Sequence, residues 1–134
     1  MLIVGDNAGM RDGVRALINS QPDMIIAGEA TNCDEAVQQF TDLLPHITIV
    51  DVNRQVTGGN ETSKGILSHF PKARIILISA LEGDAWIRQA FGIGVRAVLY
   101  QDMLRRELLP AIRVVHAGEQ YVPKAIARRL GKKS

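Results

Sequence analysis

The sequence has few of the residues that mark disulfide-rich, metal-binding or base-stacking proteins. Among its 134 residues there is one cysteine, Cys33, which excludes an internal disulfide framework and a zinc site built on cysteines. The three histidines, His46, His69 and His116, do not have the spacing of metal ligands. Aromatic residues make up 4% of the chain, whereas proteins that bind single-stranded nucleic acid need several stacking rings. None of these three classes is favoured.

Long apolar segments are also missing. No run of about 18 apolar residues is present, and the N-terminus lacks the basic region, apolar stretch and cleavage site of a signal peptide. We therefore expect a cytoplasmic protein that does not contact a membrane. Hydrophobic residues make up 46% of the chain, which is enough for the core of one domain of this length.

Charge is distributed unevenly along the chain. Residues 1–103 carry 8 Lys and Arg against 12 Asp and Glu, a net charge of −4, whereas residues 104–134 carry 8 against 2, a net charge of +6. A basic C-terminal helix can contact nucleic acid, but exposed helices at domain ends are commonly rich in Lys and Arg. We favour the second interpretation, because nothing in these residues reads DNA directly.

Short β-branched apolar runs alternate with segments of helical period, which predicts a parallel sheet with helices on both faces. The predicted strands are Leu2–Val4, Met24–Gly28, Ile47–Val50, Arg74–Ile78 and Val95–Tyr100. Five helices are predicted between and after the strands. The first begins after the cap Asn7, and the second begins after the cap Asn32, with Glu35 as its capping-box partner. The other three cover Glu61–Phe70, Glu82–Phe91 and Met103–His116. Pro123 opens a short extra helix over 123–130.

Polar side chains lie at the predicted carboxyl ends of these strands, where parallel sheets bind their ligands. The residues at those ends are Gly5 and Asp6 after the first strand, Asp51 after the third, Ser79 after the fourth and Gln101 after the fifth. The two carboxylates could share a Mg²⁺ ion, an aspartate beside such an ion can attack phosphorus, and the serine could hydrogen-bond a phosphoryl oxygen. The alternative is that strand-end aspartates cap helices or form turns.

These residues, in the segments LIVGDN, ITIVDVN and IILISA, resemble the response-regulator receiver domains of two-component signalling. The resemblance implies a three-layer (βα)5 fold, flavodoxin-like and CheY-like, with a five-stranded parallel sheet of order 2-1-3-4-5 and, after it, the short C-terminal helix. It makes Asp51 the phosphoacceptor and Ser79 the hydroxyl that hydrogen-bonds the phosphoryl group. It places Mg²⁺ on Asp6, Asp51 and the backbone carbonyl of Asn53.

Longer segments resemble the NarL/FixJ (LuxR-type) subgroup, notably GMRDGVRALINSQPDMIIAGEA and LLPAIRVVHAGEQYVPKAIARRL. The resemblance implies a receiver domain over 1–118, then a short helix and the start of a linker over 119–134 that leads to a helix-turn-helix DNA-binding domain. It also implies a sensor histidine kinase as partner, a homodimer, contact with DNA only through that further domain, and a regulator rather than an enzyme.

The sequence departs from the family pattern at the residues that operate the switch. Gly5 replaces the first acid of an acidic pair, Gln101 replaces a lysine, Val98 replaces an aromatic residue, and Gln55 replaces a proline. One lost carboxylate weakens the metal site, and a glutamine does not neutralise a phosphoryl dianion. The second hypothesis is therefore a phosphorylation-independent interaction or dimerisation module with the same fold.

Three further features have structural interpretations. The glycine-rich stretches Gly5–Met10 and Thr57–Lys64 carry no complete nucleotide-binding motif, and we expect Gly58 and Gly59 to be turn residues with positive φ. Cys33 is interpreted as a partly buried, inert thiol. Trp86, if it is exposed, is the candidate anchor of a partner interface.

Overall fold

The computed structural model describes residues 1–52, 58–79 and 84–130. Within these ranges, five parallel strands form one sheet in the order β2-β1-β3-β4-β5. The strands are β1 (Leu2–Val4), β2 (Gly28–Ala30), β3 (Thr48–Val52), β4 (Ile75–Ser79) and β5 (Ala97–Tyr100). The predicted fold class and strand order are confirmed.

Helices follow the strands and cover both faces of the sheet. They are α1 (Ala8–Asn19), α2 (Cys33–Leu43), α3 (Gly58–His69), α4 (Asp84–Gly92), α5 (Leu104–His116, entered through a 3-10 turn at Gln101–Met103) and α6 (Lys124–Arg129). No helix in the described ranges has both the length and the apolar character needed to cross a membrane.

The predicted N-caps of the first two helices are confirmed. Asn7 accepts a hydrogen bond from the N–H of Met10 at 3.0 Å, and Asn32 accepts one from the N–H of Glu35 at 2.8 Å. The Glu35 carboxylate accepts from the N–H and the hydroxyl of Thr31, at 2.7 and 2.9 Å, so it closes the turn before the helix. Because α1 is capped at Asn7, the chain leaves β1 and enters the helix within three residues, with Asp6 between them.

The predicted second strand, Met24–Gly28, is wrong in position. The observed strand pairs Leu2 with Gly28 and Val4 with Ala30, so β2 starts where the apolar run ends. The strand lies at the edge of the sheet, and its central residue Glu29 is paired with Arg15 of α1 at 2.8 Å, a contact that the apolar pattern does not reveal. The other strands agree with their predictions to within two residues.

The third helix also differs from its prediction. It begins at Gly58, so Gly58 and Gly59 belong to α3 and are not turn residues. This earlier start places Glu61 in the first turn, where the helix dipole favours a negative charge. Positive φ angles occur instead at Gly94 and Gly118, which follow α4 and α5.

Two apolar clusters lie on opposite faces of the sheet, as buried parallel strands require. Alternating strand residues divide between them: Val50, Leu77 and Val98 face one cluster, and Ile49, Ile76 and Leu99 face the other. The first cluster includes residues of α2, α3, α4 and α6, and the second includes residues of α1 and α5. The sheet is therefore held rigidly, and its carboxyl edge is a fixed platform.

The segment after α5 is attached to the edge strand through Tyr121. Its N–H donates to the carbonyl of Arg96 at 2.9 Å, and its hydroxyl donates to the Glu107 carboxylate of α5. Beyond it, Ile126 of α6 is fully buried in the first cluster. The short C-terminal helix thus packs on the same body as the sheet.

Burial and the Glu107 carboxylate raise the pKa of Tyr121 from 10 to about 12. The native state therefore holds this proton more tightly, so its contribution to the free energy of unfolding is present below pH 10 and is lost as the pH rises to about 12. We expect Tyr121→Phe to remove the phenolate absorbance change near pH 12 in the native protein. A wild-type spectrum in which both tyrosines titrate together at their ordinary value would contradict this.

Candidate functional site

The carboxyl edge of the sheet brings together three of the residues that the sequence singles out, Asp51, Ser79 and Gln101. In the register of the sheet, Asp51 lies opposite Ile78 on β4, and Ser79 lies one residue further along that strand. Ser79 in turn pairs with Tyr100, and Gln101 follows directly. Asp51 and Ser79 are thus the last or next-to-last residues of their strands, and Gln101 begins the turn after β5.

Asp51 is the centre of this edge. Its side chain is partly buried, and the Gln101 side chain donates a hydrogen bond to its carboxylate. Among the described residues, its Oδ1 atom is buried and has no hydrogen-bond partner. Burial raises the pKa of Asp51 above its ordinary value of 3.8, and the negative charge of Asp6 raises it further, while the Gln101 bond acts in the opposite direction.

Gly5 is in close contact with Asp51. A Cβ atom added at Gly5 would lie 2.9 Å from the Cβ of Asp51 and 3.4 Å from its Oδ2. The first of these distances is shorter than real Cβ atoms allow. The sequence alone indicates only that a carboxylate is missing at Gly5. In the folded protein, the Asp51 side chain also occupies the space that a side chain at position 5 would need. The two positions are coupled through packing as well as through charge.

Arg11 is a residue of this edge that sequence reasoning missed. Its guanidinium donates to the Gly5 carbonyl at 2.6 Å and lies 3.3 Å from the Glu29 carboxylate. The Gly5 N–H donates to the Ala30 carbonyl at 2.9 Å, so both backbone polar groups of Gly5 are bonded, the N–H to β2 and the carbonyl to α1. The available signal was the pair Arg11 and Arg15, one turn apart on α1 and both directed at Glu29.

Two residues of the predicted switch are buried, whereas Gln101 is exposed. Ser79 and Val98 are both 0% exposed, and Val98 lies in the first apolar cluster, where it presents no ring. Tyr100, two residues further on, is partly buried against both clusters. Trp86 on α4 is also partly buried and packs against the first cluster, so its ring is not a fully exposed anchor.

Some predicted site residues lie outside the described residues. These are Asn53, whose carbonyl is the third predicted metal ligand, and Gln55. Within the described part of the chain, no group of three or more His, Cys, Asp or Glu residues is arranged to hold a metal ion. Cys33 is partly buried, and its sulfur lies where a Cβ on Gly65 would contact it at 3.4 Å, so its environment is a helix-helix contact.

The residues present fit a Mg²⁺ ion held by few protein ligands. Mg²⁺ is commonly bound through one or two carboxylates, with water and substrate oxygens in its other positions. The Asp6 charge acts on Asp51, and the buried Oδ1 atom of Asp51 has no partner among the described residues. Two carboxylates whose charges interact, one with an oxygen that has no partner among the described residues, are the chemistry that a hard divalent cation requires.

Comparison with known proteins gives one consistent result. Residues 1–113 match the family model of the response regulator receiver domain. The chain is 28% identical to the nitrate/nitrite response regulator NarL of Escherichia coli, over 94% of this chain and 58% of that protein. It is 35% identical to a protein-glutamate methylesterase/protein-glutamine glutaminase of Methanosarcina mazei, over 96% of this chain and 38% of that protein.

The crystal structure of a LuxR-family two-component response regulator from Aurantimonas superposes with a TM-score of 0.91 at 27% identity, covering 97% of this chain and 93% of that one. The chain spans little more than half of the length of NarL and less of the methylesterase. The chain belongs to the response regulator receiver domain family, among receivers of the NarL and LuxR type.

Proposed function

We propose that this receiver domain accepts a phosphoryl group on Asp51 and that the modified state controls its dimerisation and output. The observation that supports the proposal best is the Asp51 carboxylate itself. It stands at the carboxyl edge beside the charge of Asp6, accepts a hydrogen bond from Gln101, and has a buried Oδ1 atom without a partner among the described residues. A buried, unsatisfied carboxylate oxygen is costly, and a functional site explains why it is retained.

The proposed reaction is a phosphoryl transfer to a carboxylate. One Asp51 oxygen uses a lone pair to form a bond to phosphorus while the bond from phosphorus to the donor nitrogen breaks, and the electron pair of that bond leaves with the nitrogen. The donor in this proposal is the phosphohistidine of a sensor kinase. Ser79, whose strand neighbours that of Asp51, is the candidate donor of a hydrogen bond to a phosphoryl oxygen.

The reaction requires the deprotonated form of Asp51. Burial and the Asp6 charge raise its pKa, so we propose that Gln101 helps to keep the carboxylate ionised by donating a hydrogen bond to it. Receiver domains typically bind Mg²⁺ at the phosphorylation site. In this chain Asp6, Asp51 and the carbonyl of Asn53 would hold it, and the ion supplies positive charge that offsets the phosphoryl oxygens.

The role of Gln101 leads to a paired prediction. Gln101→Lys places a cation beside Asp51 and is expected to lower its pKa, whereas Gln101→Met removes the donor and is expected to raise it. The pKa is measured from the carboxyl carbon shift of Asp51 in an NMR titration, without metal. Equal pKa values in the two variants would show that Gln101 does not interact with this carboxylate.

The same variants test retention of the phosphoryl group. A lysine neutralises part of the negative charge and a glutamine does not, so Gln101→Lys is expected to lengthen the lifetime of the modified protein, and Gln101→Met to shorten it. The lifetime is measured by intact-mass spectrometry after removal of a small phosphodonor. A longer lifetime in the methionine variant would contradict this assignment.

The partners follow from the family and from relatives longer than this chain. Response regulators act with sensor kinases, and we propose a cytoplasmic sensor histidine kinase domain as the phosphodonor. We also propose a homodimer, and contact with DNA through a helix-turn-helix domain that follows residues 119–134 in the full-length protein. The NarL relative is longer than this chain, which leaves room for a further domain in the full-length protein.

A second candidate function has a specific observation in its favour. Val98 is fully buried and has no ring to rotate, and Asp51 already occupies the space that an acid at Gly5 would need. Both features favour a receiver that binds its partners without phosphorylation. In that case the carboxyl edge is structural, and the interaction surfaces alone carry the function.

One experiment tests the proposal against this alternative. The protein is incubated with Mg²⁺ and a small phosphodonor, and the modified residue is located by mass spectrometry after borohydride reduction of the acyl phosphate. Modification at Asp51 supports the proposal. Modification elsewhere, or none at saturating phosphodonor, favours the phosphorylation-independent module.

A further inference from the structure

A group of large exposed apolar side chains lies at the opposite edge of the sheet from Asp51. Among the described residues, the large hydrophobic side chains that are exposed are Ile25 at 76%, Leu44 at 62% and Leu43 at 41%. All three line a cavity of about 590 Å³ at the amino ends of the strands. Single exposed apolar residues are ordinary, but three grouped at one concave site indicate an interaction surface.

This cavity continues into a second one. The neighbouring cavity, of about 500 Å³, is lined by the aromatic rings of Phe40 and Phe70 and shares Leu44, Pro45 and His46 with the first. The two cavities together are called here the amino-edge groove. Its floor is apolar, and Leu44 stands at the junction of its two halves.

Leu44 has an unusual backbone conformation for its residue type. It ends α2 with φ 46° and ψ 59°, and its N–H donates to the Phe40 carbonyl at 2.8 Å. Among the described residues it is the non-glycine residue with positive φ. Glycine or asparagine is favoured at this position of a helix end. A large apolar residue that is both strained and exposed indicates that its side chain has a use at the surface.

The groove has a positive rim. Its charged lining residues are Lys72, Arg74 and Arg113, against one carboxylate, Asp23, which is already paired with Arg113 at 2.9 Å. Arg74 donates to the His116 carbonyl at 3.0 Å and keeps its charge. With three cationic side chains against one carboxylate, the lining carries a net positive charge at neutral pH. A complementary ligand carries large apolar side chains and carboxylates.

We propose that the amino-edge groove binds an acidic amphipathic helix of a partner protein. An apolar groove with a cationic rim fits the apolar face of such a helix, and the flanking carboxylates pair with the rim. A second copy of this groove would bring cations against cations, which disfavours direct pairing between two copies.

The test uses a synthetic amphipathic helical peptide with leucines on one face and glutamates on the other. We expect amide shifts in NMR spectra at residues around Leu44, and binding about tenfold weaker in Leu44→Gly. Glycine adopts the observed φ without strain, so this variant is expected to be at least as stable as the wild type, which separates lost binding from lost folding. Ile25→Gln is expected to weaken binding as well, since it removes the most exposed apolar side chain.

Matched charge variants test the rim. Lys72→Gln removes a groove cation and is expected to weaken binding roughly twofold, whereas Lys64→Gln removes an exposed cation of α3 that does not line the groove and is expected to leave binding unchanged. Asp51→Asn should bind the peptide as the wild type does, so this test is independent of phosphorylation. Equal losses in both lysine variants would overturn the proposed role of the rim.

Four other results would overturn the proposal. The first is wild-type affinity in Leu44→Gly. The second is equal binding of a peptide with lysine in place of glutamate. The third is binding of anionic phospholipid vesicles, lost in Leu44→Gly, without binding of the acidic peptide, which would assign the groove to a membrane. The fourth is a dimer in sedimentation analysis that Leu44→Gly dissociates, which would assign it to a second copy.

Discussion

Replacing Asp51 by asparagine is expected to abolish the response of this domain to beryllofluoride, a stable mimic of an aspartyl phosphate. In the wild type, with Mg²⁺ present, amide shifts are expected to spread from Asp51 to Ser79 and into α4 and α5. The asparagine side chain keeps the shape and can still contact Gln101, but it has no anionic oxygen to bond to beryllium or to share a cation. The measurement is an amide NMR titration with Mg²⁺ first and beryllofluoride second.

A matched control separates the loss of this carboxylate from the loss of negative charge at the edge. Asp102 is exposed and follows Gln101 directly, so Asp102→Asn removes a nearby charge without removing the proposed acceptor. We expect this variant to respond to beryllofluoride as the wild type does. Shifts at Ser79 that persist in Asp51→Asn would rule out Asp51 as the acceptor, and no shifts in the wild type would favour the phosphorylation-independent module.

Asp51→Asn also has a predicted effect on stability, whose sign follows from the pKa. Burial and the Asp6 charge raise the pKa of Asp51 in the native state, so the native state holds this proton more tightly than the unfolded chain. The ionised carboxylate therefore destabilises the native state once the pH exceeds its ordinary value of 3.8, and most fully above its raised native value. Asparagine removes this cost.

We expect Asp51→Asn to raise the free energy of unfolding at neutral pH by less than about 1 kcal/mol, because solvent screens the charge of a carboxylate that is only partly buried. The gain should shrink as the pH falls toward 3.8. Thermal unfolding of both proteins across this pH range is the measurement. A variant that is less stable at neutral pH would show that Asp51 stabilises the fold through contacts that asparagine does not make.

The elements that the sequence predicts correctly are those set by local or periodic patterns. The caps at Asn7 and Asn32 depend on a side chain and an N–H three residues away, and the buried strands are visible as apolar runs. The edge strand β2 is misplaced because Glu29 is stabilised by arginines of α1, which lie far away in the sequence. Only the three-dimensional fold brings these charges together.

The candidate site, like the fold, could be predicted from the sequence only in part. The positions of Asp51, Ser79 and Gln101 at one edge follow from the order of strands and from the family pattern, since both fix where each strand ends. The approach of Asp51 to Gly5 joins two strands at a distance that no spacing in the sequence encodes. The sequence therefore indicates which groups meet, while the space between them is a property of the packed sheet.

The close packing of Gly5 against Asp51 leads to the second large prediction, which is that Gly5→Ala destabilises the protein. The new Cβ would lie 2.9 Å from the Cβ of Asp51, an atom fixed to the backbone of a central strand, so it cannot move aside as a flexible side-chain end would. Overpacking of this kind costs about 1–3 kcal/mol, and we expect the free energy of unfolding to fall by that amount. The Asp51 carboxylate is also expected to shift, which would be visible in its amide and carboxyl resonances.

A second glycine in the same chain provides the control. Gly13 lies exposed within α1, and a Cβ added there meets nothing within 4 Å. Because alanine is the better helix former, Gly13→Ala is expected to raise the free energy of unfolding by up to about 1 kcal/mol, opposite in sign to Gly5→Ala. Chemical denaturation of the two variants measures both effects.

If Gly5→Ala were as stable as the wild type, Asp51 would have room to retreat, and an acid at this position could then complete the metal site. If it is destabilised as expected, restoring the acid by Gly5→Asp will displace Asp51 and will not increase the affinity for Mg²⁺.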